Sequence, residues 1–154
     1  MSDFSLFAVT GNPILHSKSP NMFNEAFRQI DVSATYFRLA SDSAKEAISV
    51  FRALDLKGMN VTAPFKENVI PLLDKIDSSA EFIGGVNTIV NNNGSLTGHN
   101  TDWVGVQMSL LEKLIPKTEW TTTRFFFNKK CIIIGASGAG KAAAFALKSL
   151  GADL

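Results

Sequence analysis

The feature that most constrains the fold is an alternation of two periodicities. Short β-type runs, Ser5–Thr10 (SLFAVT), Ala34–Ala40 (ATYFRLA) and a third beginning at Met59, are separated by stretches whose apolar residues recur every three or four positions. Met22, Phe23, Ala26, Phe27 and Ile30 predict the buried face of a first helix, leaving Asn21, Glu25 and Arg28 outside. Ala44, Ala47, Ile48, Phe51 and Leu54 predict the same for a second helix over residues 43–54. A third helical pattern runs through Val69, Leu72, Leu73 and Ile76, with Pro71 near its start. Strands alternating with helices predict an α/β fold, a mainly parallel sheet with helices on both faces. Gly84-Gly85 then leads into a β-branched run to Val90, the turn Asn91–Ser95 and a return arm to Asp102, which predicts a hairpin. Trp103, Val104, Met108, Leu111 and Ile115 predict the apolar side of the helix that follows.

In open α/β sheets, ligands gather outside the carboxyl ends of the strands. The stretch Met59–Lys66 ends a strand at Pro64, so Asn60, Thr62 and Lys66 are expected to project into one crevice. Taken alone, a lysine after Pro-Phe is more often a solvated surface charge. At the first helix start, Ser19 is expected as N-cap and Pro20 as first helical residue. Two hydroxyls, Ser17 and Ser19, beside unpaired helix N–H groups make a place for an anion. The plainer alternative is that Ser19 only caps and Ser17 faces water. Asp102 likewise reads as a helix cap when considered by itself.

Composition narrows the function classes. The chain has 154 residues, 45% of them hydrophobic and 19% charged, with a formal charge of +1, which lacks the basic excess of a nucleic-acid binder. No run approaches the ~18 consecutive apolar residues of a membrane span, and Met1–Phe7 lacks a signal-peptide pattern. The lone Cys131 excludes an intrachain disulfide and points to a reducing, cytoplasmic setting. His16 and His99 have no sequence neighbours suggesting a metal site.

A break in periodicity over residues 116–128 reads as a linker whose Phe125-Phe126-Phe127 must be buried. Beyond it, Cys131–Ile134 predicts a buried parallel-type strand, Gly135-Ala136-Ser137-Gly138-Ala139-Gly140 a glycine loop, and Lys141–Leu150 an alanine-rich helix. Such a loop lets backbone N–H groups approach a phosphate. It matches a nucleoside-triphosphatase loop up to Lys141, but Ala142 stands where a Ser or Thr would hold Mg²⁺. The dinucleotide reading takes Gly135 for the tight turn, Ser137 and Gly138 near the pyrophosphate, and Gly140 for close helix packing. A glycine turn without ligand is the remaining alternative. The loop itself does not select between NAD and NADP.

Five groups, Ser17-Lys18-Ser19-Pro20 followed by Asn24, Asn60-Val61-Thr62-Ala63-Pro64-Phe65-Lys66, Gly85-Val86-Asn87-Thr88, Gly98-His99-Asn100-Thr101-Asp102 and the glycine loop, stand in an order and spacing that resembles the shikimate/quinate dehydrogenase family. The resemblance implies reversible, NADPH-dependent reduction of 3-dehydroshikimate to shikimate in aromatic amino-acid biosynthesis. It implies that Ser17 and Ser19 hold the substrate carboxylate, that Thr62, Asn87 and Asp102 hold ring hydroxyls, and that Lys66 is catalytic beside Asp102. Asn60 joins the substrate-binding set, and Gly135 to Gly140 the NADP site, with NAD not excluded. Lys66 would act as general acid in reduction and as base in oxidation. The expected division is a substrate domain over 1–115, a linker over 116–128 and the start of a dinucleotide-binding domain over 129–154. The remainder of that cofactor domain in the family has no counterpart here, so the chain reads as truncated, with poor NADPH binding and little activity. Phe23 replaces the histidine of many members. A monomer or homodimer is expected. An NAD-dependent quinate/shikimate enzyme, one half of a fusion with dehydroquinate dehydratase, and a noncatalytic binding relative are the alternatives.

Overall fold

The computed structural model describes residues 4–114 and 126–154. These fall into two compact units. One is formed by the chain up to Glu81 with Gly85–His99, the other by Phe82–Gly84 with Asn100–Leu154.

The first unit carries six strands, β1 (Ser5–Gly11), β2 (Ala34–Ala40), β3 (Gly58–Val61), β4 (Lys75–Ile76), β5 (Thr88–Asn92) and β6 (Ser95–His99). They form one sheet in the order β2-β1-β3-β5-β6-β4. β1 pairs in parallel with β2 and β3, and β4 with β6, while β5 runs antiparallel to β3 and β6 as the hairpin pattern predicts. The sheet is therefore mainly parallel. Alternation along β1 distributes the core between two faces. Ala8 joins the cluster of Ala47, Phe51, Met59 and Ile89, which receives helix α2 (Ala44–Ala53). Val9, Ile14 and Tyr36 pack with Phe7, Phe23 and Phe27 on the opposite face, under helix α1 (Ser19–Gln29).

Helix α1 differs from the sequence expectation in phase. In α1, Pro20 is buried and Phe23, Asn24 and Phe27 are partly covered, whereas Ala26 is exposed and Met22 and Ile30 are 62% and 67% exposed. Asn24 takes the inward place because its amide makes two 2.8 Å bonds to strand β2, donating to Tyr36 O and accepting from Tyr36 N–H. Those bonds pair part of an open sheet edge. In α2 the expected Ala44, Ala47, Ile48 and Phe51 are buried and only Leu54 is exposed. Its start is a reciprocal cap: Glu46 N–H donates to Ser43 Oγ at 3.1 Å, and Asp42 N–H to Glu46 Oε2 at 2.7 Å.

No α-helix forms through Val69–Ile76. The segment makes a 3₁₀ turn at Ile70–Leu72, with Pro71 in its first turn, and then the short strand β4. The Asp74 carboxylate accepts the Leu96 N–H at 2.7 Å and ties the chain to the β6 side of the sheet. Leu72, Leu73 and Ile76 still pack against the core, so the apolar spacing was right about burial and wrong about helix. A short helix α3 (Ser78–Ile83) follows.

In the second unit, helix α4 (Asp102–Leu114) is rotated from the expected phase. Trp103 and Leu111 turn inward while Val104 and Met108 are exposed. Trp103 meets Phe145 edge to face at 5.1 Å on helix α5 (Gly138–Ser149), whose Ala142 and Ala146 are fully buried. α5 begins three residues earlier than expected. Cys131–Ile134 is not a buried strand: it makes one parallel bridge, Lys130 with Asp153, and Ile132 and Ile134 are 91% and 99% exposed. A strand of this type needs neighbours on both sides, and among the described residues it has one bridge. Cys131 is partly buried beside Leu111, Phe126 and Leu150. Phe126 is buried as expected, and Phe127 is 64% exposed. Ile115 and residues 116–125, including Phe125, lie outside the described residues.

Candidate functional site

The polar residues of the first unit gather where β1 and β3 end. Chain connections from β1 lead through α1 to β2 on one side, and β3 lies on the other, so this is a topological switch point. The two strand ends are closely joined: Thr62 N–H donates to Thr10 O at 2.9 Å, and Asn12 N–H to Ala63 O at 3.1 Å. A Cβ added at Gly11 would lie 2.5 Å from Thr62 Cγ2 and 2.9 Å from Ala63 O, so only glycine permits this approach. After Thr62 the chain turns, with Phe65 N–H bonded to Thr62 O at 3.0 Å and Phe65 buried as an anchor. Lys66 is half-buried, and its carbonyl accepts the Val86 N–H at 2.8 Å, one residue before Asn87. Asn87 itself is buried, held by its N–H to His99 O and by its carbonyl to Val61 N–H.

Ser17 and Ser19 come together before α1. Ser19 is the first helical residue rather than the N-cap, which is Lys18, and no side chain caps the helix end through a direct bond from the cap residue. Ser17 Oγ takes part of that role by accepting the Ser19 N–H at 3.3 Å, and the two hydroxyl oxygens are 3.3 Å apart. Sequence reasoning missed the group that fixes this loop. Arg38 donates through Nε and Nη2 to Ser17 O, at 2.9 and 2.6 Å, and so anchors the backbone of the loop that carries both hydroxyls. An arginine two positions after Tyr36, on the same face of β2, was the available signal.

A line of side chains crosses the sheet beneath α1. Tyr36 O–H donates to Asn60 Oδ1 at 2.6 Å, Asn60 Nδ2 donates to Thr88 Oγ1 at 3.1 Å, and Thr88 Oγ1 donates to Asn87 Oδ1 at 2.9 Å. Burial pushes the Tyr36 phenol well above its ordinary range, so it stays a donor. A cavity of about 290 Å³ lies beside this region, lined by Gly11–Leu15, Ala40–Asp42 and Glu46. None of the sequence-predicted site residues lines it.

Asp102 belongs to the second unit, where it opens α4. Its N–H donates to Asn100 Oδ1 at 3.0 Å, and Asn100 is buried, so the cap role expected of Asp102 is taken in part by Asn100. In the glycine loop, residues 135–139 are exposed and Gly135 has φ +109°. A Cβ at Gly140 would lie 2.3 Å from Gly135 O, so the helix start presses directly on the loop backbone. This cradle fits a phosphate approached by backbone N–H groups at the start of a 12-residue helix. Ala142, at the position a Mg²⁺-holding hydroxyl would occupy in a triphosphatase loop, is fully buried against the helix pair. Among the described residues, no group of three metal-ligating side chains converges. His99 instead holds Asp77 Oδ2 at 2.6 Å.

A mainly parallel sheet with a topological switch point between β1 and β3 defines an α/β domain of the open-sheet class. The match to the family described as shikimate dehydrogenase substrate binding domain covers residues 9–89. A relative from Carboxydothermus hydrogenoformans, named shikimate dehydrogenase (NADP(+)), is 40% identical over 151 residues, 97% of this chain and 51% of its own length. The crystal structure of shikimate dehydrogenase from Aquifex aeolicus superposes with a TM-score of 0.86 at 38% identity, over 97% of this chain and 54% of that one. That of Thermus thermophilus shikimate 5-dehydrogenase, in complex with NADP(H) and shikimate, gives 0.82 at 32% identity over 97% and 54%. The chain belongs to the shikimate dehydrogenase family, and it spans about half the length of the curated relatives it matches. Among the described residues, no helix is long and apolar enough to cross a membrane.

Proposed function

We propose that this chain is the substrate-binding half of an NADP-dependent shikimate dehydrogenase that interconverts 3-dehydroshikimate and shikimate in aromatic amino-acid biosynthesis. The observation that carries the proposal is the gathering of Ser17, Ser19, Asn60, Thr62, Lys66 and Asn87 around the ends of β1 and β3, in a chain whose relatives bear that name. Ser17 and Ser19, with the helix start behind them and Arg38 holding the Ser17 carbonyl, suit the substrate carboxylate. Thr62, Asn60 and Asn87 suit the ring hydroxyls, the role that the family resemblance also gives Asp102. Lys66 donates a proton to the developing alkoxide during reduction and accepts it in the reverse direction.

NADP, held at Gly135–Gly140, would supply the hydride. The corresponding division of labour is a substrate domain over 1–115, a linker over 116–128 and a cofactor-binding part from 129. We assign the protein to the cytoplasm, as a monomer or homodimer. The test is shikimate-dependent reduction of NADP⁺ by the full-length gene product and its Lys66→Ala variant. Turnover that requires Lys66 supports the proposal. Shikimate oxidation unaffected by the substitution, or none in the wild type, contradicts it.

A further inference from the structure

Building on that reading, we infer that Tyr36 is a positioning residue for Asn87, acting through Asn60 and Thr88. The register makes the connection possible. Tyr36 pairs with Phe7 and Asn60 with Val9, both across β1, so the phenol and the amide share one face two residues apart. Asn60 in turn stands opposite Thr88 in the antiparallel pair of β3 and β5. The phenol reaches over β1 to close the remaining gap.

Each bond in the line has a fixed direction. The phenol gives its proton to Asn60 Oδ1, which turns Nδ2 of that amide towards Thr88 Oγ1. Thr88 Oγ1, having accepted, gives its own proton to Asn87 Oδ1. Asn87 is thereby held with its oxygen towards Thr88 and its Nδ2 turned away. The bond from Thr88 favours the orientation of Asn87 that keeps its oxygen towards β5, so the line biases which kind of group Asn87 presents. The far end is anchored too. Phe23 stacks on the Tyr36 ring at 4.5 Å with planes 9° apart, and Asn24 grips the Tyr36 backbone from the other side. Phe23, which departs from the family's histidine, thus buttresses the phenol rather than contributing a polar group.

The test combines side-chain amide NMR with calorimetric titration of shikimate, on wild type, Tyr36→Phe, Thr88→Val, Thr88→Ser and the Tyr36→Phe/Thr88→Val double variant. Tyr36→Phe should shift the side-chain amide resonances of both Asn60 and Asn87 and weaken shikimate binding about tenfold, the loss of one buried hydrogen bond's orienting effect. Thr88→Val should match it, Thr88→Ser should restore affinity to within about twofold, and the double variant should be no worse than either single one. A role confined to packing would lower the melting temperature without moving the Asn87 amide. An Asn87 amide unmoved in Tyr36→Phe, or Thr88→Ser as damaging as Thr88→Val, overturns the inference. Wild-type protein that fails to bind shikimate overturns the functional reading alone, because the Asn87 amide still decides the relay.

Discussion

Lys66 is half-buried on a turn held at two points: Phe65 is a buried anchor, and the Lys66 carbonyl is bonded to the strand end that carries Asn87. A side chain so placed is suited to one position of a reacting oxygen. Lys66→Ala is therefore expected to lower kcat by about 10²–10⁴ in the full-length enzyme, the usual range for a lost general acid, with the dissociation constant for shikimate changed only a few-fold. Steady-state kinetics beside a binding titration would show it, and equal losses in both would remove Lys66 from the transition state. Asp77 offers a second test, on stability. Burial acts to raise its carboxyl and is the largest single influence, but bonds from Ala80 N–H, the Ser79 hydroxyl and His99 together hold it below the ordinary range. A carboxyl lowered in the folded state stabilises fully above its unfolded pKa of about 3.9, and the contribution is lost as pH falls through the lowered value. The difference in urea midpoint between wild type and Asp77→Asn should thus be constant at neutral pH and shrink below about pH 4. A difference that grows in acid would contradict the assignment.

At the scale of elements, apolar spacing located almost every segment but not its orientation. α2 was legible because a single apolar stripe marked it, and the structure adds a Ser43–Glu46 cap at its start. α1 was not, because an asparagine took an inward place to bond the edge of β2, a demand that lies in another element and leaves no mark on helical periodicity. β4 was hidden for a similar reason: its pairing with β6 and the Asp74 contact to Leu96 override a pattern that reads as helix. Removing the Asn24 amide should expose both consequences. Asn24→Ala is expected to cost about 1–2 kcal/mol, two hydrogen bonds at an edge that water can partly replace, and to raise aggregation through the uncovered strand. Denaturant melts and light scattering would record it. In the second unit, Gly140→Ala forces a Cβ into the Gly135 carbonyl, so nucleotide affinity should fall by at least about tenfold while shikimate affinity is unchanged. Fluorescence titration with NADPH separates that result from general unfolding, which would impair both.

For the whole molecule, the site was legible to the extent that its residues lie on short consecutive segments. Ser17 with Ser19, and Asn60 through Lys66, each announce themselves because a helix start or strand end compels polar groups into a crevice. Arg38, Tyr36 and Thr88 did not, since their roles depend on which strands become neighbours. The proposed cofactor-binding part reads more clearly as a motif than as structure. Gly135 in its glycine loop has positive φ, but the expected strand makes one bridge and leaves Ile132 and Ile134 to solvent. We therefore expect the 154-residue chain to bind shikimate more tightly than NADPH. The most direct test of the central claim is calorimetric titration of shikimate into this chain and into its Ser17→Ala/Ser19→Ala variant. The account predicts one saturable site per chain in the first and at least about a tenfold loss of affinity in the second, two charge-assisted bonds to a carboxylate having been removed. Absence of binding by the wild-type chain, or equal affinity in the two, would contradict it.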